Sequence, residues 1–468
     1  MSIRLCQLLF SALIIWACPS NSDQTESDNQ LLSDLTFDED FLDFNDDEFD
    51  EKLSSWQDNF VIRVSHQVFG QINNHQVEPI PDLKIPKTAS VENHRTGINV
   101  RYQNAIAPGW LVQGSWQGRI YWKEDYEYEA NNNHVEDEYR VNELFVQKST
   151  QGQSFKLGRQ IVVWGETVGN SVLDVINHNE FRDFTIIDVE DTRLNQWMLL
   201  WDVFDEAASW STFINFYPEF NPRPVRGGPF DFDLGYEINT VDRGNDPIFE
   251  VGSKWRKSYG ASDVSIMAAY LYENQLRYEG PTPFSDKANL IKNDYILVGF
   301  SANRAIGKLL LTLDVALKRG VLIDGSSFVG VGSFNTPTDL KKDQVGMSLG
   351  FEYGITNYQT VSLGIQLKKM KDERLGLSED QILPNQGIYG SWLFRYANRL
   401  KNDDLELSAT LQGDLKGDAA LFAGNAAYKI NDNWTAGLQI LTIHASGTSE
   451  LQYFTNDVRL GAALTYSF

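Results

Sequence analysis

Between Lys308 and Lys318 the side chains divide by a two-residue period. Leu309, Leu311, Leu313, Val315 and Leu317 fall on one side, and Lys308, Leu310, Thr312, Asp314, Ala316 and Lys318 on the other. The division returns along the chain. Val361, Leu363, Ile365 and Leu367 oppose Thr360, Ser362, Gly364, Gln366 and Lys368, and Leu405, Leu407, Ala409 and Leu411 oppose Glu406, Ser408, Thr410 and Gln412. Trp110, Val112, Gly114, Trp116, Gly118, Ile120 and Trp122 oppose Gln113, Ser115, Gln117 and Arg119. In the last thirteen residues, Val458, Leu460, Ala462, Leu464, Tyr466 and Phe468 stand against Arg459, Gly461, Ala463, Thr465 and Ser467. A single strand of this kind usually belongs to a soluble sandwich, but here the face opposite the oily one is repeatedly small and polar. After the first residues no run of eighteen apolar residues occurs, so a membrane-spanning chain of this composition must close its backbone hydrogen bonds between strands. The expected fold is all-β: a transmembrane antiparallel barrel, oily outside and polar within.

Strand-like segments run over 59–71, 94–105, 109–123, 137–148, 152–164, 194–204, 209–217, 247–258, 262–275, 293–304, 307–319, 343–355, 358–371, 385–398, 403–412, 417–429, 433–445 and 456–468. These are eighteen, and sixteen is the alternative if 194–204 and 209–217 drop out, because Trp197, Leu199, Trp201, Val203 and Phe204 alternate poorly. Short turns such as Ile106–Pro108, Ser149–Gln151 and Asn431–Asp432 alternate with long segments such as 72–93, 124–136, 165–193, 218–246 and 320–342. In bacterial barrels the short turns face the periplasm, which puts the C-terminus there too. Trp110 and Trp122 mark the two ends of one strand, as aromatic girdles require.

Charge separates the beginning of the chain from the rest. Asp23 to Asp58 holds fourteen acidic residues and one Lys, a net charge of -13 out of -24 for the whole chain. Such a balance excludes nucleic acid as a partner. Arg4 followed by the apolar run Leu5–Ala17 and by Pro19 and Ser20 reads as a secretory signal over 1–22. Residues 23–58 are expected to form an acidic periplasmic tail or a plug, and 59–468 the outer-membrane barrel. The cysteines, Cys6 and Cys18, lie in or beside the signal, which leaves no internal disulfide.

Residues 143–230 contain Glu143-Leu144-Phe145, LGRQIVVWGE at Leu157–Glu166, LDVIN at Leu173–Asn177 and YPEFNPRP at Tyr217–Pro224. This set resembles the DUF1302 family of Gram-negative outer-membrane proteins and, more distantly, alginate-export porins. His178 departs from the Pro usual in that family after the Asn. The resemblance implies a secreted outer-membrane barrel and an inner-membrane or periplasmic exporter partner. Phe468, with Tyr466 before it, likewise resembles the closing strand of outer-membrane barrels read by the barrel-assembly machinery. Lipid and lipopolysaccharide are the remaining expected partners.

Arg159 offers a fixed fork of donors for which Glu143 and Glu166 are the candidate carboxylates. Asp174 and Asn177 can hold a turn through side chain to backbone bonds, so 165–193 can fold inward as a constriction. Arg223 and Arg226, between prolines and glycines, form a basic loop. Lys308, Asp314, Lys318, Glu406 and Arg459 fall on the polar side of their strands and complete the expected lumen-facing set. The six histidines lack metal spacing, and neither a phosphate loop nor a nucleophile elbow occurs, so no enzyme chemistry and no cofactor are expected. The expected function is a passive outer-membrane channel or the outer-membrane component of an export pathway. The alternative is a closed binding or interaction barrel that recruits a periplasmic partner.

Overall fold

A computed structural model describes residues 59–73, 91–122, 136–167, 169–180, 182, 192–222, 237–238, 248–279, 287–322, 341–371, 387–401, 403–446 and 457–468. Eighteen strands form one closed sheet. They are β1 (Phe60–Asn73), β2 (Val91–Ala107), β3 (Trp110–Tyr121), β4 (Glu136–Thr150), β5 (Gln153–Gln160), β6 (Gln196–Asp205), β7 (Ala208–Tyr217), β8 (Glu250–Tyr259) and β9 (Ser262–Tyr272). Then follow β10 (Asp294–Ile306), β11 (Leu309–Leu322), β12 (Lys341–Thr356), β13 (Gln359–Met370), β14 (Tyr389–Leu400), β15 (Leu405–Asp414), β16 (Ala419–Lys429), β17 (Trp434–Ala445) and β18 (Asp457–Ser467).

Each strand pairs antiparallel with its neighbours in sequence. β18 returns to β1 with Ser467 opposite Arg63 and Arg459 opposite Gln71, and Phe468 N–H donates to Ile62 O at 2.9 Å. Closure leaves no open edge, which is the condition for a sheet in lipid. Both ends of the barrel lie at the rim with the short turns, the periplasmic side of this outer-membrane architecture.

The expected period fits the barrel. On β11, Thr312, Asp314 and Ala316 are buried, whereas Leu313 and Val315 are half-buried and Leu317 is exposed on the outer face. Trp110 and Trp122 stand exposed at the two ends of β3. The pair β6 and β7 is present, and its poor alternation has a physical cause: the inner side is apolar as well. Met198 and Phe213 are buried and join a core with Met267, Leu271, Leu297 and Ala316 on strands β9 to β11. The polar inner face expected throughout is therefore interrupted on one wall, and the loop after β5 covers it.

Candidate functional site

The described residues of that loop, L3 (161–195), fold into the barrel. β5 stops at Gln160, four residues short of the expected end at 164. Asn177 ends it by imitating a strand. Its Oδ1 accepts Val162 N–H at 3.1 Å and its Nδ2 donates to Val162 O at 2.9 Å, so the backbone of Val162 is satisfied away from the sheet. Trp164, Val172, Leu173 and Ile176 then pack on the apolar wall, all essentially buried.

Three glycines make room for them. A Cβ on Gly252 of β8 would lie 2.6 Å from Trp164 Cη2, one on Gly299 of β10 would lie 2.6 Å from Leu173 Cδ2, and one on Gly346 of β12 would lie 2.9 Å from Val172 Cγ1. Gly165 has φ +93°, and a side chain there would meet Ser171 Oγ at 2.0 Å, so only glycine suits the bend.

Polar anchors carry the loop further round the wall. Asp314 of β11 accepts the N–H of Glu166 (3.1 Å) and of Thr167 (2.9 Å). Ser348 of β12 accepts Val172 N–H at 3.0 Å and donates to Asn170 O. Gln366 Nε2 of β13 donates to Asn170 O at 3.2 Å, and Ser391 Oγ of β14 donates to Asn170 Oδ1 at 3.0 Å. L3 thus follows the inner wall from β6 to β14.

The returning limb is fixed at the neck. His178 and Asn179 pair with Leu194 and Arg193, and Arg193 grips Asp174 through Nε (3.0 Å) and Nη2 (2.8 Å). Gln196 Nε2 donates to Ile176 O at 2.7 Å, and Asn274 Nδ2 donates to Asn177 O at 2.6 Å. Glu180 binds Arg182 and lies 3.4 Å from Arg140 Nη1 on β4. Burial would raise the Glu180 carboxyl, but the Arg182, Arg140 and Arg119 guanidiniums hold it down at about 2. Burial pushes the His178 imidazole down to about 3, and Arg159 adds to the effect. His178 is therefore neutral near pH 7, and its 3.7 Å approach to Glu219 is not an ion pair there.

Arg159 stands opposite Leu144 and Trp197, two outer-face residues, at the extracellular end of β5. It lies at the rim rather than in the lumen. Its partner is neither Glu143 nor Glu166 but Glu219, at 2.8 Å from Nη1. Glu143 sits at a bulge where it and Asn142 together face Ser115, and it accepts a bond from Gln113. Glu166 accepts from Asn303 Nδ2 at 3.0 Å and lies 3.7 Å from Lys254 Nζ. Asp174 and Asn177 serve L3 itself, as above. Lys308 falls in the turn before β11, exposed at the periplasmic rim, where Nζ donates to Ile355 O at 3.2 Å. Its side chain therefore leaves the lumen-facing set.

Asp314, Lys318, Glu406 and Arg459 lie on inner faces, with Asp314 and Arg459 fully buried and Glu406 Oε1 3.8 Å from Arg399 Nε. Arg223 and Arg226 lie outside the described residues. Ser348, Gln366, Ser391 and Glu219 escaped sequence reasoning as anchors. The inward glycines at 252, 299 and 346 were the available signal.

Solved structures share this architecture. OccAB1 of Acinetobacter baumannii superposes with a TM-score of 0.52 at 10% identity, over 88% of this chain and 96% of that one. OccK1 (OpdK) of Pseudomonas aeruginosa gives 0.49 at 8% identity, over 87% and 98%. The fold is that of an outer-membrane barrel. No family model matches the chain, and no curated protein matches it.

Proposed function

We propose that this protein is a passive outer-membrane channel whose constriction is built by L3. The observation that carries the reading is the attachment of L3 to the wall by a dry core and by Asp314, Ser348, Gln366 and Ser391. A loop held at so many points narrows a lumen in a fixed way. An eighteen-strand barrel is otherwise too wide for side chains alone to fill. Arg63, Gln67, Arg101, Gln113, Gln117 and Arg459 on β1 to β3 and β18 supply a polar inner surface suited to hydrated solutes.

Kinship with the DUF1302 family is part of the reading. Its support is that the resembling segments touch one another: Arg159 meets Glu219, and Asn177 meets Val162. An exporter partner in the periplasm or inner membrane follows from the same kinship, and handling of Phe468 by the barrel-assembly machinery follows from the resemblance of the last strand to the closing strand of outer-membrane barrels. The mature protein reconstituted in planar bilayers is expected to conduct in discrete steps. Silence, with and without residues 23–58, would turn the assignment toward a closed interaction barrel.

A further inference from the structure

Two lysine side chains belong to the inner face above Asn170 of L3, and among the described residues no carboxylate is set between them. Lys318 on β11 pairs with Gln344 of β12, and Lys368 on β13 pairs with Gly346, the next inward position of that strand. They are diagonal neighbours across β12. Lys318 Nζ lies 5.6 Å from the centre of the Tyr295 ring and feels the charge of Glu273. That carboxylate is itself engaged by Asn293 Nδ2 at 2.7 Å and Leu322 N–H at 3.2 Å. Lys368 shares this stretch of wall with Lys318, of the same sign. Among the described residues neither ammonium closes an ion pair.

A third donor lies deeper on the same wall. Asn170, at the tip of L3, is fully buried, and its two oxygens are taken by Gln366, Ser348 and Ser391. Among the described residues its Nδ2 has no acceptor. Gln366 and Ser391 are opposite one another, and Lys368 is the next inward residue after Gln366, so the orphaned amide lies one step deeper on the same wall.

Two like charges on one wall repel each other, and an unmatched buried donor destabilises the fold further. An oxygen anion relieves both. Ammonium and amide N–H groups are donors only, so the cluster accepts carboxylate, phosphate or sulfate oxygens and repels cations. We propose that Lys318, Lys368 and Asn170 form an oxyanion-binding site on the extracellular side of the L3 tip, where an anionic solute is held before it passes the constriction. This rests on the channel reading for its role in passage, but the binding itself does not.

The test uses the full mature barrel in detergent, titrated calorimetrically with inorganic phosphate and separately with acetate at low chloride. Wild type is expected to bind at least one of them. Lys318→Gln and Lys368→Gln should each weaken binding about tenfold, the double variant should abolish it, and Lys368→Arg should retain most of it. Tighter phosphate assigns the site to phosphorylated solutes, and tighter acetate to carboxylates. Because the Gln variants remove a repulsion, their heat midpoint without anion should equal or exceed that of wild type, which establishes that they fold. Equal affinities in wild type and double variant, or no binding by folded wild type, overturn the site. Reversal potentials across a KCl gradient separate the two readings. Binding with a silent bilayer defeats the channel and leaves the site. Conduction with no binding and an unchanged anion preference in the double variant defeats the site and leaves the channel.

Discussion

The carboxylate of Asp314, midway along β11, accepts both N–H groups of the Glu166–Thr167 step of L3, at 3.1 and 2.9 Å. One lumenal side chain thus holds the descending limb of a loop 147 residues earlier in the chain. Removing it in Asp314→Ala strands two buried amides, each at a cost of about 1 to 3 kcal/mol. L3 should then become cleavable by protease and channel current should grow or become noisy, while the barrel still assembles because its outer face is untouched. Asp314→Asn keeps one acceptor and should fall between. Wild-type protease resistance in the Ala variant would show that the apolar core alone holds the loop.

Arg159 and Glu219 make a partly buried pair at the extracellular rim. A double-mutant cycle with Arg159→Ala and Glu219→Gln should give a coupling of about 1 kcal/mol from urea midpoints. Arg159→Lys restores charge without the planar fork and should recover only part of it. Additive effects of the two single changes would leave the pair without energetic weight.

Acid should loosen L3. His178 is pushed down from 6.5 to about 3, so below pH 6.5 the released loop takes up a proton that the docked loop refuses, and docking weakens until about pH 3. Glu180 is held down from 4.5 to about 2, so its contribution, complete above 4.5, fades as pH falls through that range. Both terms have the same sign. Protease susceptibility of L3 should rise between pH 6.5 and 3, and His178→Gln should flatten the upper part of that profile. An unchanged profile in the variant would locate the titration elsewhere.

The lipid face offers an independent check. Leu313 lies on the outer side of β11 near its middle, and Leu313→Arg should cost roughly 2 to 4 kcal/mol. Lowered heat stability or poor assembly is the expected readout. Full stability would mean that this position does not meet hydrocarbon.

The alternation of β11, β13 and β18 was legible because lipid and water impose opposite demands on successive residues. β6 was harder to read for the reason already given: Met198 on its inner side is buried under L3 while Trp197 and Trp201 face out. The end of β5 was misplaced because Val162 and Trp164 continue a strand-like pattern whose hydrogen bonds are taken over by Asn177, fifteen residues on. Arg159 looked lumenal from its motif, and its partner Glu219 belongs to a second quoted segment whose proximity no periodicity encodes. Asp314 was recognised as inward-facing, yet its task was hidden by the length of chain between it and Thr167.

The same separations set an order of events in folding. The residues that anchor L3 from β11 to β14 come 147 to 221 positions after the groups that they bind. A growing chain that has reached the end of β10 contains all of L3 and none of Asp314, Ser348, Gln366 or Ser391. Contacts of such long range form late, because the entropy of closing the intervening chain must be met first. The diameter of the barrel is set by its eighteen strands, but the width of its constriction is settled only once β11 to β14 are in place.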